Sequence, residues 1–191
     1  MADVLLFHHA LGQTPGFLAF ADALRAAGHT VHAPDLYAGK SFATLDEGMA
    51  NARSIGFQQL QDQGVVAADG LPDSLVYAGF SLGVMAAQRL AQTRPGARGA
   101  VLLDSAIPLG EFADEWPAGV PVQVHGGEGD EFFMDEGDVD AARQIVGAAA
   151  DGELFTYAGC GHLFADPSAP AYDPDAAALV QQRVLDFLAR V

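Results

Sequence analysis

The amino-acid sequence predicts a three-layer α/β fold, in which a mostly parallel sheet of about six strands lies between two layers of helices. Short apolar runs alternate with longer stretches of helical spacing along the whole chain. Some of these runs are apolar at consecutive positions, as at residues 100–103, which is typical of strands buried on both faces. No repeat or linker interrupts the pattern. We therefore expect one domain over residues 1–191, with no lid domain.

Six short apolar runs, each followed by turn or loop residues, account for the predicted strands. They cover residues 4–8, 30–33, 75–79, 99–103, 120–125 and 153–158. Sheets of this kind bind their ligands beyond the carboxyl ends of the strands. The residues that directly follow each run are therefore the first candidates for chemistry.

Apolar residues at three- and four-residue spacing predict the helices between the strands. Gly28 is a stop signal after the first helix, and Pro174 suits the first turn of the last one. The predicted helices cover residues 15–27, 43–62, 82–93, 138–150 and 173–190. The stretch from 107 to 121 contains Pro and Gly, and we expect it to be a surface excursion.

The composition excludes several classes of function. Acidic residues outnumber Lys and Arg by 25 to 9, so the net charge is −16. This balance argues against a nucleic-acid partner, and it argues against binding to a membrane surface through a polybasic patch of the protein. The chain shows neither a signal-peptide pattern nor an apolar run of the roughly 20 residues that a membrane helix needs, so we expect a cytoplasmic location. The single cysteine, Cys160, excludes an internal disulfide.

A tight turn carrying a serine follows the third predicted strand. It reads Gly79-Phe80-Ser81-Leu82-Gly83, the G-x-S-x-G pattern, and a helix follows it. Such a turn strains the backbone of the serine, and its glycines remove side chains that would collide with the neighbouring strand and helix. The pattern predicts that Ser81 is a nucleophile presented near a helix N-terminus.

A nucleophilic serine needs a base, and the base needs an acid that orients it. His162 follows the last predicted strand in a glycine-rich loop, and Asp130 follows the fifth strand in another. The order Ser81, Asp130, His162 is that of the α/β-hydrolase triad. Two alternative acids remain open, namely Glu128 in the same loop as Asp130 and Asp104 after the fourth strand.

Hydrolysis by a serine also needs two hydrogen-bond donors for the oxyanion. One is predicted to be the backbone N–H of Leu82, the residue after the nucleophile. The other is predicted in the loop after the first strand, residues 7–12, where we select the N–H of Ala10.

Three further residues are expected to contact the substrate because they adjoin the proposed site along the chain. They are His9, Phe80 and Phe164. For His9 two roles stay open: a donor that acts on the substrate or tunes the base, and a loop side chain that packs at the mouth of the pocket.

No cofactor or metal is predicted. The spacing of the histidines matches no metal-ligand motif, and nucleotide-binding glycine motifs are absent. Cys160 lies two residues from His162, but it lacks the strand–turn–helix context of a nucleophile, so we interpret it as a small loop residue.

Several stretches together resemble the dienelactone hydrolase family of α/β-hydrolases, over nearly the whole chain. They are the first strand with its loop to Gly12, Ala33-Pro34-Asp35-Leu36-Tyr37, residues 79–83, residues 126–130, Gly161-His162-Leu163-Phe164-Ala165 and Tyr172-Asp173. The resemblance implies an ester- or lactone-cleaving hydrolase with the triad Ser81, Asp130 and His162. It also implies oxyanion donors at Leu82 and Ala10.

The sequence departs from the best-known members of this family at three positions. Those members carry a cysteine where this chain has Ser81, and a glutamate where it has His9. They bind the substrate carboxylate partly through an arginine, at the position of Asp166. An acid there would repel a carboxylate, so dienelactone itself is not the expected substrate. Arg53 is a candidate replacement cation.

The predicted function is hydrolysis of a small ester or lactone through an acyl-enzyme on Ser81. Two alternatives stay open: a non-catalytic ligand-binding protein on the same fold, and an acyltransferase or perhydrolase that uses the same triad. The expected partner is the small-molecule substrate, and the sequence predicts no oligomeric state.

Overall fold

The computed structural model describes residues 1–191 and contains one parallel sheet. Its strands are β1 (Asp3–Phe7), β2 (Thr30–His32), β3 (Val76–Phe80), β4 (Gly99–Leu103), β5 (Val122–Gly127) and β6 (Gly152–Tyr157). They are ordered β2-β1-β3-β4-β5-β6, and every neighbouring pair is parallel. The predicted sheet of about six strands is confirmed, and all of it is parallel.

Seven helices connect or follow the strands. They are α1 (Pro15–Ala26), α2 (Leu45–Ile55), α3 (Phe57–Val66), α4 (Val84–Thr93), α5 (Glu131–Asp135), α6 (Asp138–Ala148) and α7 (Pro174–Arg190). The single helix predicted over residues 43–62 is wrong, because Gly56 has a φ of +101° and divides it into α2 and α3. The short helix α5 was not predicted; Asp130 caps its N-terminus. None of the seven helices combines the length and the apolar composition that a membrane span requires.

The core has two halves because alternate residues of each strand point to opposite faces of the sheet. In β1, for example, Leu5 and Phe7 pack against one set of helices, whereas Val4 and Leu6 pack against the other. Helices α4 and α6 cover the first face, and α1 and α7 cover the second. The chain therefore forms three layers. Beyond these layers there is no long additional segment that would form a lid domain.

The strand order places four carboxyl ends side by side. Strands β3, β4, β5 and β6 are consecutive in the sheet, so the loops that follow them begin along one edge. Four non-glycine residues have a positive φ, and three of them follow these strands: Ser81, Asp104 and Leu163. Backbone strain of this kind concentrates at functional sites. This edge of the sheet is therefore the expected position of the functional site.

Candidate active site

Ser81 lies in a strained turn between β3 and α4. Its φ is +47°, a left-handed value that costs a non-glycine residue about 1 kcal/mol or more. A Cβ atom on Gly79 would lie 2.5 Å from the carbonyl carbon of Gly83, and a Cβ on Gly83 would lie 2.5 Å from the carbonyl oxygen of Phe7. Glycine at both positions is what lets the turn close against the end of β1.

A second pair of close approaches joins the loops that carry Asp130 and His162. A Cβ on Gly127 would lie 2.2 Å from the carbonyl oxygen of Cys160. The N–H of Gly129 donates to the same oxygen at 2.9 Å. The loop after β5 is therefore bonded directly to the loop after β6, which is how residues 32 positions apart in the chain come into contact.

The structure brings Ser81, His162 and Asp130 into one chain of hydrogen bonds. The distance from Ser81 Oγ to His162 Nε2 is 2.8 Å, and that from His162 Nδ1 to Asp130 Oδ2 is 2.7 Å. The carboxylate of Asp130 can only accept, so Nδ1 carries the proton and Nε2 is left to accept from the serine hydroxyl. The other oxygen of Asp130 accepts from the N–H of Phe132 at 3.0 Å.

The pKa of His162 is raised above the ordinary histidine value of 6.5. Burial alone would lower it, because a charged imidazole loses hydration. The hydrogen bond to Asp130 and the negative charges of Asp104, Asp130 and Asp138 outweigh burial. This environment stabilises the imidazolium that forms when the histidine takes a proton.

Neither of the two alternative acids is hydrogen-bonded to His162, whose Nδ1 bonds to Asp130. Glu128 accepts a hydrogen bond from Thr156 Oγ1 at 2.8 Å in an exposed position. Asp104 is only 1% exposed, and neither of its carboxylate oxygens receives a hydrogen bond from the protein. Burial, together with repulsion by Asp130, raises the pKa of Asp104 to about 7, although the nearby His162 opposes the rise.

A cavity of about 310 Å³ opens beside Ser81 and His162. Residues from α2, α3, α4 and α5 and from the loop after β4 supply most of its apolar wall. These are Leu45, Met49, Phe57, Met85, Ile107 and Phe132. Phe132 lies two residues after Asp130, and this position near the predicted triad is a signal in the sequence. No sequence motif pointed to the other five, because they come from separate elements whose spacing in the chain is unrelated.

Of the two predicted oxyanion donors, one lines this cavity. Leu82 lines it, and the N–H of Ala10 donates to no group of the protein. Helix α2 packs closely on the Ala10 loop, since a Cβ on Gly48 would lie 2.2 Å from the Ala10 carbonyl oxygen. Both sides of the loop are therefore packed, by α2 and by the turn at Gly83 that abuts β1.

His9 does not line the cavity, so its predicted contact with the substrate is corrected to a supporting role. It is fully buried, and its Nε2 lies 2.6 Å from Asp166 Oδ2. Its Nδ1 accepts from the N–H of Leu11 at 3.2 Å. Burial would raise the pKa of Asp166, but hydrogen bonds from His9, Thr14 and the N–H of Ser168 lower it. The pair holds the loop that contains Ala10.

Phe80 and Phe164 are also placed differently from the prediction. Each is 1% exposed, and neither lines the cavity. Both belong to the core on the face that α1 and α7 cover. Along the chain they adjoin Ser81 and His162, but their side chains point into that core, so they support the site from behind. Phe132 takes the predicted aromatic place, with its ring centroid 5.0 Å from that of His162.

The expectation that Asp166 repels a substrate carboxylate is corrected as well. Asp166 is bonded to His9 and Thr14 in the interior, and it does not line the cavity. Arg53 is exposed on α2 and is not a lining residue, so it supplies no replacement cation in the cavity. The carboxylates that do line the cavity are Asp104, Glu136 and Asp138.

Two further histidines, His8 and His125, and the cysteine have structural contacts. His8 accepts from the N–H of Leu36 at 3.1 Å, and His125 lies 2.7 Å from the hydroxyl of Tyr157. Burial lowers the pKa of His125 to about 3. Cys160 is buried, and burial raises the pKa of its thiol. No group of three or more His, Cys, Asp or Glu side chains is arranged to hold a metal ion.

Comparison with known proteins gives one family and one fold. Residues 2–191 match the model of the dienelactone hydrolase family. A dienelactone hydrolase-like promiscuous phosphotriesterase from metagenomic libraries has a TM-score of 0.76 at 19% identity, over 100% of this chain and 86% of its own. The dienelactone hydrolase of Anabaena variabilis has a TM-score of 0.68 at 19% identity, over 100% and 86%.

A third solved structure, esterase 2 of Thermogutta terrifontis phosphonylated by sarin, has a TM-score of 0.69 at 13% identity, over 99% of this chain and 83% of its own. At these identities the likeness to solved structures shows a shared fold. No curated protein matches the sequence.

His9→Ala is expected to weaken both the fold and the reaction. The change removes a buried partner of Asp166 and the acceptor for the N–H of Leu11, so we expect a loss of about 2–4 kcal/mol in the free energy of unfolding. Turnover should fall about tenfold without being abolished, because the Ala10 donor is displaced rather than removed. Urea unfolding and ester kinetics measure the two effects.

The matched control is His29→Ala, a half-buried histidine at the opposite edge of the sheet, before β2. It should leave turnover unchanged. If His9→Ala also left turnover unchanged, the supporting role would be wrong.

Asp104→Asn is expected to raise the free energy of unfolding, and the gain should grow with pH. Between its unfolded pKa of 3.8 and its folded pKa of about 7, the folded chain keeps a proton on Asp104 that the unfolded chain releases. The wild type therefore loses stability as pH rises, by up to about 4 kcal/mol, and the variant does not. Urea unfolding at several pH values from 4 to 8 checks this.

The exposed Asp69→Asn serves as the control for the loss of one carboxyl group. A gain for Asp104→Asn that stayed constant from pH 4 to 8 would contradict the account of a buried, unpaired carboxyl group.

Proposed function

The chain belongs to the dienelactone hydrolase family, and from this premise we propose that it hydrolyses a small carboxylic ester or lactone through an acyl-enzyme on Ser81. Membership of the family supports a hydrolase. The observation that carries the finer proposal is the continuous chain of hydrogen bonds from Ser81 through His162 to Asp130, beside a cavity. A protein that only binds a ligand has no need of an oriented base on a serine.

In the first half of the reaction Ser81 Oγ attacks the carbonyl carbon of the ester. Nε2 of His162 takes the hydroxyl proton, and the carbonyl oxygen becomes an oxyanion held by the N–H groups of Ala10 and Leu82. The C–O bond to the leaving group then breaks. His162 returns the proton to the departing alkoxide, which leaves as an alcohol, and the acyl group remains on Ser81.

In the second half water takes the place of the alcohol. His162 removes a proton from the water, whose oxygen attacks the acyl carbon and forms a second oxyanion in the same place. The bond to Ser81 Oγ breaks, and the proton on His162 passes to the serine. The products are a carboxylic acid and the free enzyme, and the cycle uses no cofactor. The cavity of about 310 Å³ favours a small acyl or alcohol group.

A fluorophosphonate probe should form a covalent adduct on Ser81. Its reaction needs an activated serine and an oxyanion hole, whereas a solvated serine reacts too slowly to be labelled. Peptide mass spectrometry locates the adduct. Ser81→Ala should keep the fold and lose both the label and nearly all ester hydrolysis. Labelling at another serine, or none on the folded protein, would overturn the proposal.

The pH profile of kcat/KM should have its acidic limb above the ordinary histidine pKa of 6.5. The base acts only when neutral, so activity is lost as pH falls through the raised pKa of His162. Asp130→Asn should move the limb to lower pH and reduce kcat/KM by about a thousandfold, because an amide no longer holds the correct tautomer.

Asp104→Asn is the matched comparison, since Asp104 acts on His162 only through its charge. For an uncharged ester, Asp104→Asn should reduce kcat/KM far less than Asp130→Asn does. The reverse ranking would move the role of the acid to Asp104.

A further inference from the structure

The wall of the cavity carries an unbalanced charge. Three carboxylates line it, from Asp104, Glu136 and Asp138, and no Lys or Arg does. The ring of His162 is the only basic group there, and its own hydrogen bond to Asp130 already pairs it. A substrate therefore meets negative charge next to the nucleophile.

Asp104 is the observation that distinguishes this wall from an ordinary acidic surface. It follows β4 directly and lines the cavity, yet it is 1% exposed and neither oxygen has a donor in the protein. A buried carboxyl group without partners destabilises a fold. Both oxygens are buried, so Asp104 acts on a positive group in the cavity through its uncompensated charge and not through direct contact.

The other two carboxylates differ in how firmly they are held. Asp138 Oδ2 accepts from Ser105 Oγ at 2.6 Å and from the N–H of Ala106 at 3.1 Å, so its position is fixed. Glu136 is exposed and lines the cavity, which places it at the rim. The charge therefore extends from the buried Asp104 to the solvent.

Aromatic and thioether groups complete the surroundings. Phe57 and Phe132 both line the cavity, as do Met49 and Met85. The face of an aromatic ring attracts an alkylammonium group, and apolar walls bind its methyl or methylene groups. Carboxylates together with aromatic rings form the environment that a substituted ammonium ion prefers.

We propose that the site selects esters that carry an ammonium group and discriminates against esters that carry a carboxylate. The cation lies against Glu136 and the rings of Phe57 and Phe132, and the buried charge of Asp104 attracts it. This inference rests on the proposed esterase function and names its substrate class. The net charge of −16 acts in the same direction, because it attracts cations toward the site and repels anions.

The experiment compares two esters of equal shape and different charge. Acetylcholine carries a quaternary ammonium group, and 3,3-dimethylbutyl acetate has a carbon in place of the nitrogen. At pH 8, where Asp104 is mostly ionised, we expect kcat/KM to be about tenfold higher for the cation. The acetate ester of 3-hydroxypropanoate, which carries a carboxylate, should react more slowly than the neutral ester.

The variants test which residues cause the preference. Glu136→Gln and Asp104→Asn should each reduce the ratio of the two kcat/KM values by a factor of about three, and together they should remove most of it. Glu111→Gln removes one exposed carboxylate outside the cavity and should leave the ratio unchanged. Because a ratio is measured, a general loss of activity in a variant does not imitate the effect.

The outcomes separate this inference from the proposed function. If the neutral ester is hydrolysed in a Ser81-dependent reaction and the cation is not preferred, the charge selection is overturned and the esterase function stands. If neither ester is hydrolysed, the inference is decided by calorimetry, which measures the binding of tetramethylammonium to the protein. Binding that Glu136→Gln weakens and Glu111→Gln does not would support it, and no binding would overturn it.

Discussion

The close backbone contact at Gly79 and Gly83 is the constraint on which the site depends. It lets the turn after β3 press against the end of β1, and it keeps Ser81 at a φ of +47°. Side chains at either glycine would separate the nucleophile from the loop that contains Ala10. The same device recurs at Gly127, where a missing side chain brings the Asp130 loop onto the His162 loop. Backbone packing, more than side-chain attraction, thus positions the reacting groups.

The electrostatics of the site add to this geometry. Asp130 orients His162 and, with Asp104 and Asp138, raises the pKa of the imidazole. Asp104 itself has no partner in the protein, and its burial costs stability. The fold is less stable because it keeps this group in the cavity wall near the nucleophile. Loss of stability at a functional site is common. Glu136 continues that wall to the solvent.

The pair of His9 and Asp166 shows how two positions of a family can change their use. The resemblance associates these positions with a glutamate near the nucleophile and an arginine for the substrate carboxylate. In this chain their side chains turn inward and bond to each other, with Thr14 as a second donor. They support the Ala10 loop, and the recognition of a carboxylate is left without a cation. The acidic cavity wall is consistent with that loss.

The sequence by itself determined the six-stranded sheet, because apolar runs and glycine turns are local signals. It also placed Ser81, Asp130 and His162 each after a different strand. It did not reveal the division at Gly56, the inward turn of His9, or the cavity wall of Phe57 and neighbouring side chains. Those features depend on which elements pack together in space, and the spacing of residues along the chain does not encode that packing. Only the tertiary structure decided that Asp104, which follows β4, and Glu136 and Asp138, which lie beyond β5, line one cavity, because the parallel order of β4 and β5 brings the segments after them to one edge.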